Sequence, residues 1–335
     1  MIWLTWRQFR ASSVIAAAAL VIAAVALAVM GSSLAQVWSS TGAGACPATG
    51  DCAALESFLS QVRTSWTSAV YILATALIFL VPPLVGVFWG APLVARELEA
   101  GTQRLVWSQS VTRGRWLATK LAVVGGAGML LAGLLSLAAT WSSQRLDGAG
   151  LGRLHPALFE ARGLVPVAYA AFAFTLGVVV GMVLRRSVPA MAATLAIYTG
   201  SVLAVALGVR SHLFPVKHVV QPLVLGETPE LMIHNGGRVD VVADFTAPGS
   251  WVVHNDTITP AGQVFHGPAD PTACNREAPP RACEHWIQSI GLRQRVDYHP
   301  ASHFWPLQLT ESALFLALTA ALVVFAFWWL RRRAT

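Results

Sequence analysis

Charged residues along this chain stand far apart in six places and close together everywhere else. Arg10 and Asp51 enclose 40 uncharged residues, Arg63 and Arg96 enclose 32, and Lys120 and Arg145 enclose 24. Arg162 to Arg185 leaves 22, Arg186 to Arg210 leaves 23, and Glu311 to Arg331 leaves 19. No other charge-free stretch exceeds 13 residues. A helix needs roughly 20 apolar residues to cross the hydrocarbon of a bilayer, and a charge at its centre costs about 2.5–3.5 kcal/mol. The two groups of stretches do not overlap, so six runs are predicted to span. Their expected boundaries are Val14–Ala35, Ser68–Val94, Leu121–Trp141, Leu164–Leu184, Val188–Gly208 and Ser312–Leu330. The first run is longer than the roughly 7–15 apolar residues of a cleaved leader, so it counts as a span.

Lysine and arginine set the orientation. With the N-terminus inside, the inner segments are 1–11, 95–120, 185–187 and 331–335, and they hold 12 of the 23 basic residues against two acids, Glu97 and Glu99. The outer segments hold 11 basic and 14 acidic residues. All four cysteines (Cys46, Cys52, Cys274 and Cys283) fall outside on this scheme, where disulfides persist. The expected fold is an all-α polytopic membrane protein with six transmembrane helices and both termini cytoplasmic. A small mixed α/β extracytoplasmic domain follows helix 5. The chain divides into 1–208, 209–309 and 310–335, in the inner or plasma membrane.

Local patterns refine this plan. Ile2, Trp6 and Phe9 share one helical face beside Arg7 and Arg10, which predicts an interfacial helix on the inner leaflet or a basic topology anchor. Pro82 and Pro83 near the middle of the second run, and Pro92 near its end, predict a kink or break, since each removes a backbone donor. Arg185-Arg186-Ser187 turns a hairpin between the fourth and fifth runs, with Pro189 in the returning first turn. Gly177 and Gly181 supply a small-xxx-small face for close helix contact. In the outer domain, Val239–Val242 and Ser250–His254 read as short strands.

Composition agrees with the membrane assignment: 55% of residues are hydrophobic and 12% charged, about half the charge of a soluble domain. The thirteen tryptophans suit the membrane–water interface. The formal charge of +7 sits beside the spans rather than on an aromatic-laced soluble face, so no nucleic acid is expected as partner. Within the predicted boundaries no span holds a charge, which weighs against proton antiport. There is no H-E-x-x-H motif and no phosphate-binding loop, so no nucleotide site, metal or catalytic residue is expected in this chain. Cys46 and Cys52 permit a small disulfide-closed turn. Cys274, Cys283, Glu284 and His285 match no strong zinc pattern, and a Cys274–Cys283 disulfide is the simpler expectation.

The segment 95–120 carries the most information. It runs from an acidic helix end (Glu97, Glu99) through Gly101-Thr102, a short amphipathic stretch and the turn Val111-Thr112-Arg113, to Lys120 entering the third run. This pattern, with the six-span layout, resembles permease subunits of ATP-binding-cassette exporters of the type-two group. Ser110 stands where that group often has proline. The resemblance implies a coupling helix seated in a groove of a separate ATPase subunit, with Glu97, Glu99, Gly101, Thr102, Arg104, Leu105, Trp107 and Arg113 as contacts.

The residues suit that role. The Thr102 hydroxyl can cap the helix start, Leu105, Val106 and Trp107 offer apolar contact, and Arg104 sits at the rim. Arg113, Arg115 and Lys120 are expected to anchor against the inner leaflet or acidic partner residues. The implied assembly pairs this chain with a second permease copy or paralogue and two ATPase subunits, which hold ATP and Mg. Its uncharged spans favour export of an amphiphilic drug, antibiotic or lipid. Two other classes compete: a membrane-anchored sensor or immunity protein whose outer domain binds a ligand, and a membrane enzyme with its chemistry in that domain.

Overall fold

The computed structural model describes residues 2–46, 52–101, 112–150, 152–223, 230–234, 238–242, 245, 247–268, 270–274, 279 and 281–333, with the backbone alone described at 2–9, 11–13, 157, 230–234, 238–240, 242 and 333. Among the described residues six helices are long and apolar enough to cross a membrane: Val14–Thr41, Trp66–Glu99, Arg113–Ser142, Val165–Leu184, Ser187–His212 and Ala301–Arg332. They correspond one to one with the six predicted runs. The chain forms two compact units, Met1–Leu213 with Phe304–Thr335, and Phe214–His303.

Within the helical unit the fourth span is the core. Of its apolar window 78% is buried, against 17% for the first, fifth and sixth spans, whose apolar faces are left for lipid. It packs against the second, third, fifth and sixth spans. The closest approach uses glycine on both helices. A Cβ on Gly177 would lie 2.7 Å from the Ala91 amide nitrogen, and one on Gly86 would lie 2.6 Å from the Ala173 carbonyl oxygen. Gly181 meets the Ala91 carbonyl in the same way. The expected small-residue face on the fourth span therefore has a partner, Gly86 and Gly90, on the second. Aromatic packing adds to this core, with Phe315 lying 4.6 Å from Tyr169 and 5.2 Å from Phe172, ring centre to ring centre.

The prolines do not break the second span. The α-helix Trp66–Leu84 contains Pro82 and Pro83, changes to π winding over Val85–Gly90, and resumes as Ala91–Glu99. Wider winding follows the lost donors and keeps the chain helical, as an intramembrane backbone must be. Similar π turns occur at Leu121–Gly125 and Val205–Val209. A separate N-terminal interfacial helix is not formed: one helix runs unbroken from Ile2 to Thr41. Its 40 residues reach about 60 Å, because nothing between Arg10 and Val14 stops the helix.

The unit Phe214–His303 is mixed α/β. Strands β1 (Lys217–Pro222), β4 (Trp251–Ile258) and β5 (Arg293–His299) form an antiparallel sheet in the order β1-β5-β4. β2 (Glu230–His234) and β3 (Arg238–Val242) form a separate hairpin. A small core of Val241, Ile287 and Leu292 lies between the helix Ala282–Ser289 and the strands. The unit is shorter than the expected 209–309. The fifth helix runs on to His212 and the sixth begins by Phe304, which carries Arg210 and Glu311 into the helical bundle.

Candidate functional site

The second span ends at Glu99, and Gly101 follows with φ 69°, the left-handed conformation that glycine supplies at a helix C-terminus. The third span starts at Arg113, capped by the Thr112 hydroxyl, which accepts from the Arg115 amide at 3.4 Å. Residues 102–111 between them, including Thr102, Arg104, Leu105, Val106 and Trp107, lie outside the described residues.

The stems on either side of that segment are bound to the bundle. Lys120 Nζ donates to Glu97 Oε1 at 2.5 Å and to the Leu93 carbonyl at 3.2 Å, and it sits over the Trp116 ring at 4.6 Å. Only 5% of the Lys120 side chain is exposed. It is therefore not a leaflet anchor. A lysine inside the first turns of an apolar span needs a carboxylate, and Glu97 is within reach. Glu99 Oε2 accepts from the Ser187 amide at 3.2 Å and from its hydroxyl at 2.9 Å, which caps the fifth span from outside that helix. Arg185 takes φ 54° in the hairpin turn, and Arg113, Arg115, Arg185 and Arg186 are exposed.

The other end of the bundle holds residues that sequence reasoning passed over. Arg210, 1% exposed, donates from Nε and Nη2 to the two oxygens of Glu311 at 2.8 Å each. Its Nη2 also reaches Glu160 Oε1 at 2.5 Å and the Tyr169 hydroxyl at 3.3 Å. Tyr169 donates to Glu311, which is 0% exposed, and the guanidinium lies 4.8 Å from the centre of the Phe159 ring. Burial pushes the Glu160 carboxyl above its usual range, with the Arg210 charge pulling the other way. One guanidinium so joins the fourth, fifth and sixth spans to the loop before the fourth.

A second arginine holds the same loop from its other side. Arg162 donates to Asp147 and, at 2.6 Å, to the Tyr71 hydroxyl of the second span. Gln308 of the sixth span accepts from the Leu164 and Val165 amides at 3.0 Å each and donates to the Phe159 carbonyl at 2.9 Å, so it caps the fourth span. Spans free of charge were expected, but the second, third, fifth and sixth helices take in charged residues at their ends, among them Glu97, Lys120, Arg210 and Glu311. The fifth and sixth helices continue past their expected ends because Arg210 and Glu311 cancel each other, and Glu97 and Lys120 do the same for the second and third. The signal was present: Arg162, Arg210 and Glu311 each border a predicted span.

Beside the π segment of the second span lies an apolar groove of about 320 Å³, lined among others by Leu20, Leu77, Val81, Val85, Trp89 and Leu135. The cysteines pair as Cys46–Cys52 and Cys274–Cys283, which removes both thiols of the Phe214–His303 unit from metal chemistry. Among the described residues no three His, Cys, Asp or Glu side chains converge as a metal site.

Neither a curated protein nor a solved structure matches the chain. A family model described as ABC-2 membrane transporter related matches residues 17–210. That stretch is more than half of the chain and takes in five spans, the bound stems of the 102–111 segment and Arg210. With six helices able to cross a bilayer and this match, the chain is a multi-pass membrane protein that belongs to the ABC-2 membrane transporter related family.

Proposed function

We propose that this chain is the permease subunit of an ATP-driven exporter of amphiphilic cargo such as a drug, antibiotic or lipid. The segment 95–120 would be its coupling loop, facing the cytoplasm with both termini and resting on a separate ATPase subunit. That partner supplies ATP and Mg, and this chain performs no catalysis of its own. A second copy or a paralogue completes the pathway.

The observation that carries this reading is the bonding of the stems. A displacement of residues 102–111 acts on Glu97 and Lys120, hence on the second and third spans together, and on Ser187 through Glu99, hence on the fifth. The second span transmits it further. Its π segment, Val85–Gly90, lines the apolar groove with Val85, Phe88 and Trp89 and packs on the fourth span through Gly86 and Gly90. A shift at Glu97 so changes the shape of an uncharged groove, which suits an apolar tail and disfavours ions.

The test is export of a fluorescent amphiphile from cells, with the tagged chain used to capture its ATPase. Thr102→Pro and Glu97→Ala should abolish export while the chain still inserts, and Thr102→Pro should also lose the captured ATPase. Export and capture both intact in these variants would overturn the coupling assignment. A capture that recovers no nucleotide-hydrolysing protein would overturn the exporter reading.

A further inference from the structure

Glu160 lies in the turn between the short helix Pro156–Phe159 and the fourth span, with 10% of its side chain exposed. We propose that it is a reversible proton-binding site, and that the proton it takes up as the medium acidifies locks the loop before the fourth span to the bundle. This site does not depend on the transport reading and needs only the contacts made around Arg210.

Among the described residues the charges around Glu160 do not balance: two carboxylates, Glu160 and Glu311, meet one guanidinium. Glu311 is 0% exposed, has both oxygens on Arg210 and accepts from the Tyr169 hydroxyl, so three donors hold its charge. Glu160 has one oxygen on Arg210 Nη2, a nitrogen that already serves Glu311. Tyr169 of the fourth span and Tyr198 of the fifth also face Glu160, and neither brings a positive charge. Arg162, two residues along the same loop, donates to Asp147 and Tyr71. The undescribed residues in the neighbouring loops of the helical unit, 47–51 and 151, include no base.

Where two carboxylates share one site, the second holds its proton more tightly, and burial adds to the effect. Burial raises the Glu160 carboxyl most, the Arg210 charge opposes it, and Glu311 adds to the rise. Glu160 is also the carboxylate that water can reach, so the proton enters there rather than at Glu311. An acid that holds its proton more tightly in the packed loop than in water stabilises the packing when protonated. That stability is fully present below the ordinary carboxyl value of 4.5 and is lost as pH rises through the raised one.

Thermal unfolding of the purified full-length chain in detergent, from about pH 5 to about pH 8, tests this. Glu160→Gln keeps the shape and removes the charge. It should unfold at a higher temperature than wild type at the upper pH, by roughly 2–4 °C for each tenfold gain in proton affinity, and the gap should close at the lower pH. Infrared spectra of the wild type should show a protonated carboxyl band that grows over the same range as pH falls, and Glu160→Gln should lack that change. Asp147→Asn, which strands Arg162 in the neighbouring pair, should instead lower the unfolding temperature at both ends. A Glu160→Gln chain no more stable than wild type at the upper pH, or unable to insert, would overturn the site by showing that the charge holds the loop. So would an equal gain in Asp147→Asn, which would show general relief of negative charge, or a carboxyl band that Glu160→Gln retains.

Discussion

At the bundle end that carries Glu99 and the Arg185–Ser187 turn, one buried lysine has one carboxylate, and one exposed glutamate caps one helix. At the opposite end two buried arginines share Asp147, Glu160 and Glu311 with the hydroxyls of Tyr71 and Tyr169. The first arrangement borders the segment 102–111. The second ties four spans and a loop, and its central pair, Arg210 and Glu311, is almost wholly buried. A transporter subunit needs one end that a partner can displace and one that keeps the helices registered. On the function proposed above, the end beside residues 102–111 would be the one displaced and the opposite end the one that keeps the helices registered.

The sharpest way to break the contrast is to remove the arginine of the rigid end. Arg210→Ala leaves Glu311 buried without a counter-charge and should cost about 3–5 kcal/mol, read as a large fall in the unfolding temperature in detergent. Arg210→Met combined with Glu311→Leu should recover most of that loss, with Glu160 taking up a proton. A double variant as unstable as the single one would show that the arginine acts by shape rather than charge.

At the other end Glu97→Ala strands Lys120, but Glu97 is partly exposed, so water relieves some of the cost. About 2–3 kcal/mol is expected by the same measurement, smaller than for Arg210. Equal losses at the two ends would remove the distinction between them.

Gly177→Ala tests whether the π segment is seated on the fourth span as described. The added methyl group meets backbone atoms of Gly86 and Ala91 that cannot rotate away, and about 2 kcal/mol should be lost. Gly126→Ala, which meets open space, should change little and serves as control.

The smallest effect belongs to Glu99→Ala. Removing an exposed cap should cost about 0.5–1 kcal/mol of stability, yet lower export more than stability if the cap carries motion to the fifth span. Export unchanged in that variant would confine transmission to the Glu97–Lys120 pair.

Number, order and approximate limits of the six helices followed from the chain alone, because insertion energy is a sum over single residues in a fixed solvent. The hairpin at Arg185 and the small-residue face at Gly177 and Gly181 were legible for a similar reason: local geometry and side-chain size need no partner to be recognised. Tertiary structure alone decided which charges belong inside. The cost of burying Arg210 disappears only when Glu311, 101 residues away, stands beside it, and no one-residue scale contains that pair. It also turned Lys120 from a leaflet anchor into the partner of Glu97, and found Gly86 and Gly90 facing Gly177. Burial of a lone side chain can be read along a sequence, whereas a contact between distant residues exists only once the chain has folded.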